Sequence, residues 1–264
     1  MTYFGFLWRF LAIPIAIFLV LTFLDQRAGR RITGFKGGAK VWFAIGLHVL
    51  VAVLYTTPWD NYLVANGVWY YNPALVTGIV IGWVPIEEYT FFVLETILSG
   101  FWWWFLARRL SPPAQMFKPN MQMRMWAAGT VFVAWLIFTA AFFSDWKPGT
   151  YLSITLFWAL PAILPQMLFG ADILWHHRKL VSWAILPMAL YLSAVDVIAI
   201  TSGTWTINPA QSTGILIGGL PVEEAVFFLI TNLLIGFGIT LLLADESQVR
   251  LDSLRGWLKS RKRQ

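Results

Sequence analysis

Seven long apolar stretches limit the possible folds of this 264-residue chain more than any other feature of its sequence. They lie at roughly 3–24, 40–56, 73–106, 125–143, 150–171, 180–200 and 209–243. About 20 apolar residues in a helix span a bilayer, and only 12% of the chain is charged, far less than in a soluble domain. We therefore predict an all-α polytopic membrane protein with about seven transmembrane helices. The first stretch lacks a small-x-small cleavage site, so we expect it to be retained.

The basic residues lie almost entirely on one side of these spans. We call the side on which the chain begins side A and the opposite side B. Of the 19 Lys and Arg residues, all but Arg9 and Lys147 fall on side B. The positive-inside rule then predicts a multi-pass protein of the cell membrane with its N-terminus outside and its C-terminus in the cytoplasm. We therefore interpret the basic residues behind the net charge of +6 as residues that set the orientation in the membrane or contact anionic lipid, and not as a nucleic-acid-binding surface.

The sequence repeats itself at an offset of 136 residues. A further match upstream, at an offset of 147, reflects an insertion near residues 30–40. So many identities at fixed offsets indicate an internal duplication. The matching positions include Asn72-Pro73 with Asn208-Pro209, Pro85, Glu87, Glu88, Phe91 and Phe92 with Pro221, Glu223, Glu224, Phe227 and Phe228, and Pro14 and Asp25 with Pro161 and Asp172.

The duplication predicts four segments. These are a first three-helix repeat at 1–110, a connector with one transmembrane helix at 111–144, a second three-helix repeat at 145–245 and a basic cytoplasmic tail at 246–264. The connector returns the chain to side A, so the repeats are expected to be parallel. The third spans, 73–106 and 209–243, exceed the needed length and contain Gly-x-x-Pro. We predict a tilted or broken helix in each, or a short re-entrant segment before a full span.

Two pairs of glutamates fall near the middle of the predicted third spans: Glu87 with Glu88, and Glu223 with Glu224. Ionised carboxylates are costly at that depth and usually mark a functional cavity. Adjacent helical residues point about 100° apart, so one glutamate of each pair should face a cavity. The other would bond the backbone opened by the proline. A protonated and an ionised carboxyl together can perform acid–base catalysis, whereas a purely structural role is the alternative.

Other side chains near these glutamates are candidates for substrate binding. Glu95 shares the helix face of Glu88, but its counterpart in the second repeat is Thr231. Aromatic rings beside carboxylates could stabilise a carbocation, or simply pack helices. Asp60 and Asp196, near outer span ends, could instead be helix caps or turn formers. The candidates are Trp83, Tyr89, Phe91, Phe92, Glu95, Phe227, Phe228, Asn72, Asn208, Asp60 and Asp196.

The usual signatures of cofactor and metal sites are missing from the sequence. It has no cysteine, and no Gly-x-Gly-x-x-Gly, P-loop or His-Glu-x-x-His. We therefore expect no flavin, nucleotide or metal. His48, His176 and His177 are interpreted as packing or interface residues, and Asp25 and Asp172, at span ends on side B, as structural.

The paired Asn-Pro…Gly-x-x-x-Gly-x-x-Pro-x-Glu-Glu-x-x-Phe-Phe blocks resemble the small membrane lycopene cyclases. These consist of two related three-helix chains in some bacteria and of one fused chain in other organisms. The resemblance covers both repeats. It implies a flavin-independent lycopene beta-cyclase of carotenoid biosynthesis, with lycopene or a related carotenoid as substrate. It also implies that Glu87, Glu88, Glu223 and Glu224 are the acid–base residues, and it allows contact with other enzymes of the pathway.

Two other functions are compatible with the same residues. A transporter or proton-coupled carrier of lipid or ions could use the repeat interface as its pathway and the glutamates as proton relays. A related cyclase could act on a longer carotenoid or form another ring type. Pigment extraction from a lycopene-producing host that expresses the chain would distinguish these functions.

Overall fold

The computed structural model describes residues 1–261, and the side chains to residue 256. Seven of its helices are long and apolar enough to cross a membrane, which confirms the predicted polytopic helical fold. Residues 262–264 of the predicted tail lie outside the described residues. The helices are α1 (Tyr3–Arg27), α2 (Ala39–Ala65), α3 (Ile86–Ala107), α4 (Met121–Phe143), α5 (Thr150–His176), α6 (Arg178–Thr201) and α7 (Val222–Leu243), followed by α8 (Asp245–Arg261).

Helix α1 contains one π-helical turn, Trp8–Ala12. A π turn accommodates one additional residue within an α-helix. Tyr3 lies eleven residues before Pro14, whereas Tyr151 of α5 lies ten residues before the equivalent Pro161. The π turn therefore absorbs a one-residue insertion, and it gives Tyr3 the position in the first repeat that Tyr151 has in the second.

The predicted third spans are not single tilted or broken helices; the second alternative, a short segment that turns back before a full span, is closer to the structure. Each begins with an irregular loop and a short hairpin, formed by β2 (Val80–Ile81) with β3 (Val84–Pro85) and by β5 (Leu216–Ile217) with β6 (Leu220–Pro221). Gly82 and Gly218, with φ of 69° and 58°, make the reversals that tight hairpins require. Each proline precedes its helix instead of kinking it. The glutamates consequently lie in the first turns of α3 and α7.

The two repeats pair with each other at side A. Strand β1 (Trp69–Tyr71) runs antiparallel to β4 (Trp205–Ile207), with Tyr70 opposite Thr206. The 136-residue offset relates Trp69 to Trp205 and Tyr71 to Ile207, so each residue of β1 corresponds to one of β4. A pseudo-two-fold axis therefore passes between Tyr70 and Thr206. Both repeats present the same end to this small sheet, in agreement with a parallel arrangement. The exact domain boundaries remain a prediction.

Ion pairs close the bundle at side B. Asp25, at the end of α1, lies 2.7 and 2.9 Å from the two terminal nitrogens of Arg109. Asp172, near the end of α5, lies 2.9 and 2.7 Å from those of Arg250 on α8. Bidentate pairs of this kind hold helices in a defined geometry. The interpretation of both aspartates as structural is confirmed.

Candidate active site

Glu88 and Glu224 line one small cavity between the beginnings of α3 and α7. We call it the carboxyl cavity; its volume of about 30 Å³ is enough for one or two water molecules. Both glutamates are buried, and each comes from the equivalent position of its repeat. The cavity is lined by Tyr3, Trp69, Tyr71, Glu88, Phe91, Tyr151, Asp196, Trp205, Ile207, Glu224, Phe227 and Phe228.

Tyrosine hydroxyls donate hydrogen bonds to both of these carboxyl groups, but unequally. Glu88 Oε2 accepts from Tyr3 at 2.5 Å and from Tyr71 at 3.0 Å. Glu224 Oε1 accepts from Tyr151 at 2.8 Å. The counterpart of Tyr71 in the second repeat is Ile207, which has no hydroxyl. The carboxyl cavity is therefore symmetric in its glutamates and asymmetric in their donors.

Tyr71 stays a neutral donor under ordinary conditions. Desolvation raises the pKa of its hydroxyl well above the usual value, and the negative charges of Asp60 and Glu88 raise it further. A phenol that keeps its proton can donate to a carboxylate but cannot itself supply a proton readily. Tyr71 is accordingly a group that orients and stabilises Glu88.

The other glutamate of each pair has a different position. Glu87 Oε1 accepts from the backbone N–H of Thr77 at 2.6 Å. Glu223 Oε1 accepts from the N–H of Thr213 at 2.6 Å and from its hydroxyl at 2.7 Å. Both residues thus hold the loop that precedes the hairpin. As expected, one glutamate of each pair faces the cavity and the other bonds backbone, although that backbone belongs to the loop and not to a kinked helix.

Asp60 and Asp196 are not helix caps or turn formers, which corrects that interpretation. They lie inside α2 and α6, which continue to Ala65 and Thr201, and their side chains are buried. Asp196 lines the carboxyl cavity. The carboxyl oxygens of Asp60 have no hydrogen-bond partner among the described residues. Buried carboxyls without a partner are costly. Asp60 does not line the carboxyl cavity, and a role in substrate binding stays a prediction for both aspartates.

Trp83, Tyr89, Asn72 and Asn208 do not line the carboxyl cavity, and their role in substrate binding stays a prediction. Trp83 is 68% exposed, because the hairpin turn places it outside the bundle. Tyr89 donates to the carbonyl of Ile81 at 2.9 Å and so holds the same hairpin. The side chains of Asn72 and Asn208 accept from backbone N–H groups two residues later and stabilise turns.

A second cavity of about 230 Å³ lies deeper in the bundle, and we call it the mid-bundle cavity. Glu95 lines it and accepts a hydrogen bond from Thr231 at 2.8 Å. Phe92 lines it too, whereas Phe227 lines both cavities. The remaining lining residues are Leu47, His48, Val51, Ala52, Tyr55, Thr56, Thr96, Trp158, Ala162, Gln166, Thr231, Leu234 and Ile235.

Sequence reasoning missed the tyrosines and tryptophans of the carboxyl cavity. Trp69 and Trp205 match in the repeat, and that match was a usable signal. Tyr3 and Tyr151 do not match at either offset, because the π turn displaces them by one residue. Tyr71 has no tyrosine counterpart and carries no signal in the repeat.

One group of described residues has donor atoms close enough together to ligate a metal ion: His176, His177 and Glu246, within 4.8 Å of one another. Burial raises the pKa of Glu246, but the hydrogen bond from His177 and the charges of both histidines lower it more, leaving it below its usual value. The group lies at side B, at the opposite end of the bundle from the carboxyl cavity. It has no part in the chemistry proposed below.

The fold and the site define a duplicated seven-helix membrane protein with a carboxyl site where its repeats meet. A family model of lycopene cyclases matches residues 11–106 and 148–242, in both repeats. The chain belongs to this family, as the sequence resemblance indicated.

Curated relatives carry matching names. The chain is 37% identical over 202 residues to the lycopene beta-cyclase of Halobacterium salinarum, covering 75% of this chain and 81% of that protein. It is 34% identical over 217 residues to the bifunctional lycopene cyclase/phytoene synthase of Gibberella fujikuroi, covering 80% of this chain but 36% of the fungal protein. No solved structure matches the chain with statistical significance. Nothing in these comparisons supports a transporter.

Proposed function

We propose that this protein is a lycopene beta-cyclase of carotenoid biosynthesis, which closes the linear ψ ends of lycopene to β-ionone rings by acid–base catalysis. The observation that carries the proposal is the meeting of Glu88 and Glu224 in one buried cavity with phenol donors and aromatic rings. The name of the Halobacterium salinarum relative supports the substrate and the ring type.

The reaction proceeds in three steps. A carboxylic acid donates its proton to the terminal double bond of the ψ end, and a tertiary carbocation forms. The inner double bond attacks this cation and closes the six-membered ring. A carboxylate then removes a ring proton, which leaves the β double bond. One proton is gained and one is lost, so the step is an isomerisation that requires no oxidant or reductant, and we propose that it is independent of flavin.

The hydrogen bonds assign the two carboxyl groups different roles. Hydrogen bonds to a charged oxygen are stronger than those to a neutral one. Glu88, with two phenol donors, is the better stabilised carboxylate and serves as the base. Glu224, with one, serves as the acid. Rings of Phe91, Phe227 and Phe228 line the same cavity and stabilise the cation by cation–π attraction.

The membrane location of the site suits a hydrocarbon substrate. We propose that the protein lies in the cell membrane with its N-terminus outside, because its basic residues concentrate at side B. Those residues would contact anionic membrane lipid, and other enzymes of the pathway could dock there. Reporter fusions at both termini test the orientation; a cytoplasmic N-terminus would contradict it.

Glu→Gln substitutions test the acid–base assignment. An amide keeps the shape of the side chain but has no transferable proton, and loss of a general acid or base typically costs about 10²–10⁴-fold in rate. Glu88→Gln and Glu224→Gln should each abolish formation of the two-ring product β-carotene in lycopene-producing cells at unchanged protein level.

Matched controls come from the neighbouring glutamates. Glu87→Gln and Glu223→Gln retain an oxygen that accepts from the N–H groups of Thr77 and Thr213. They should keep most of the activity. Normal activity in both Glu88→Gln and Glu224→Gln would remove the acid–base assignment, and an inactive, well-folded Glu87→Gln would show that the wrong member of the pair had been chosen.

A further inference from the structure

We infer that the mid-bundle cavity binds the linear polyene hydrocarbon chain of the substrate, and that this single chamber serves the two ends of the substrate in turn. The inference rests on the proposed function and specifies where most of the substrate lies during the reaction. The carboxyl cavity, at about 30 Å³, is too small for the reacting end together with the polyene.

The walls of the mid-bundle cavity suit a hydrocarbon that arrives from the bilayer. Most of them are apolar or aromatic, and they come from α2, α3, α5 and α7 at the middle of the bundle. Leu47, Val51 and Tyr55 of α2 line the cavity and are also 36–52% exposed on the apolar outer face of that helix. A polyene dissolved in lipid could therefore enter past α2 without crossing water.

The two cavities share a wall. Phe227 lines both of them, and consecutive residues of α3, Phe91 and Phe92, line the carboxyl cavity and the mid-bundle cavity respectively. The ring of Phe227 stacks on that of Trp59 at a centroid distance of 5.6 Å. A polyene in the chamber would direct its end past Phe227 towards Glu88 and Glu224. The side chain of Phe227 must therefore move when the end of the substrate enters the carboxyl cavity.

Among the described residues, the lining of the chamber differs from the equivalent residues in the other half of the bundle. At the pseudo-symmetric place in the other half of the bundle, three small lining residues are replaced by larger side chains, all of them buried. Large side chains of this kind fill the space between the helices. The replacements are Ala52 by Met188, Thr56 by Leu192 and Ala162 by Ile15. Each end of the substrate must accordingly use the same chamber.

The test fills the chamber with the side chains that the chain already has in its other half. The variant Ala52→Met/Ala162→Ile places two larger apolar groups where the polyene would lie. If the cavity were only a packing gap, filling it should raise the melting temperature and leave activity unchanged, since buried voids reduce stability. We expect at least a tenfold loss of lycopene conversion with no fall in melting temperature. Ala140→Met, on the exposed face of α4, is the matched control and should convert lycopene normally.

Direct binding separates the chamber from the chemistry. Quenching of tryptophan fluorescence by lycopene, with Trp158 in the chamber wall, reports occupancy in detergent. Glu88→Gln should bind lycopene without converting it, whereas the filled variant should neither bind nor convert lycopene. A filled variant that binds and converts lycopene normally, beside an inactive Glu88→Gln, overturns the chamber alone. If the filled variant is inactive while Glu88→Gln is fully active, the acid–base assignment is overturned and the chamber inference stands. If the double variant folds poorly, Ala162→Ile alone is measured in the same way.

A chase experiment tests the use of one chamber in turn. Labelled lycopene is allowed to bind, and an excess of unlabelled lycopene is then added. If the first ring must leave before the second end enters, label should accumulate in the one-ring product. Labelled two-ring product that forms without delay and is insensitive to the chase would overturn the single-chamber inference.

Discussion

Removing one hydroxyl from Tyr151 should slow the cyclase more than removing one from Tyr3. The Tyr151 hydroxyl donates to Glu224 Oε1 at 2.8 Å, and the equivalent of Tyr71 on this side is Ile207, so Tyr151→Phe removes the phenol donor of that carboxyl. As Glu224 gives up its proton, negative charge develops on the oxygens, and a preorganised donor is then worth most. Tyr151→Phe retains the ring, which packs edge-on against Trp69.

The magnitude follows from the kind of hydrogen bond that is lost. Bonds to a charged group contribute about 1.5–3 kcal/mol, and 1.4 kcal/mol is a factor of ten. The rate should therefore fall by about tenfold to 150-fold in Tyr151→Phe. In Tyr3→Phe, Tyr71 still donates to Glu88 at 3.0 Å. The loss there should be near 1 kcal/mol, or roughly fivefold at most.

The assay is formation of one-ring and two-ring products from lycopene by purified protein in lipid–detergent micelles, with melting temperature measured in parallel. Tyr191→Phe is the matched control, because that hydroxyl donates to the carbonyl of Phe10 and not to a carboxyl group. It should leave the rate unchanged. A larger defect in Tyr3→Phe than in Tyr151→Phe, at equal stability, would refute the assignment of Glu224 as the acid.

Local hydropathy was sufficient to predict the number of membrane helices, because each contains a long apolar stretch. It could not reveal that 73–85 and 209–221 fold as loops and hairpins. Both segments contain runs of apolar residues, and their hairpin strands are only two residues long. The Gly-x-x-Pro pattern predicts a kink, whereas in the structure Gly82 forms a hairpin turn and Pro85 precedes the helix.

The repeat predicted the glutamates of the site but not the groups that distinguish them. Which glutamate faces the cavity depends on where α3 begins, and α3 begins at Ile86 and not at residue 73. Tyr71 and Ile207 differ between the repeats, so matching positions could not reveal the unequal donors. The placement of Asp60 depends on the true length of α2, which continues to Ala65 and not to residue 56, because a buried carboxyl interrupts the apolar run. The predicted span 180–200 already matched α6 and contained Asp196.

Two further predictions concern how the helices are held around these cavities. Gly100→Ala should destabilise the protein by about 1–3 kcal/mol, seen as a lower melting temperature, because the new Cβ would lie 2.7 Å from Cγ1 of the buried Ile45. Gly129→Ala, with nothing within 4 Å of the new Cβ, should not, and equal effects would contradict the packing of α2 on α3. Asp172→Asn should release α8 from the end of α5. The neutral amide leaves the guanidinium of Arg250, whose side chain is 11% exposed, without its charged partner. Removing one member of a buried pair costs about 3–5 kcal/mol, because the remaining charge stays desolvated. That energy is lost at side B, far from the carboxyl cavity, so the variant should become sensitive to trypsin within α8 while its cyclisation rate per folded molecule stays normal. Unchanged proteolysis would show that the ion pair does not hold α8 in place.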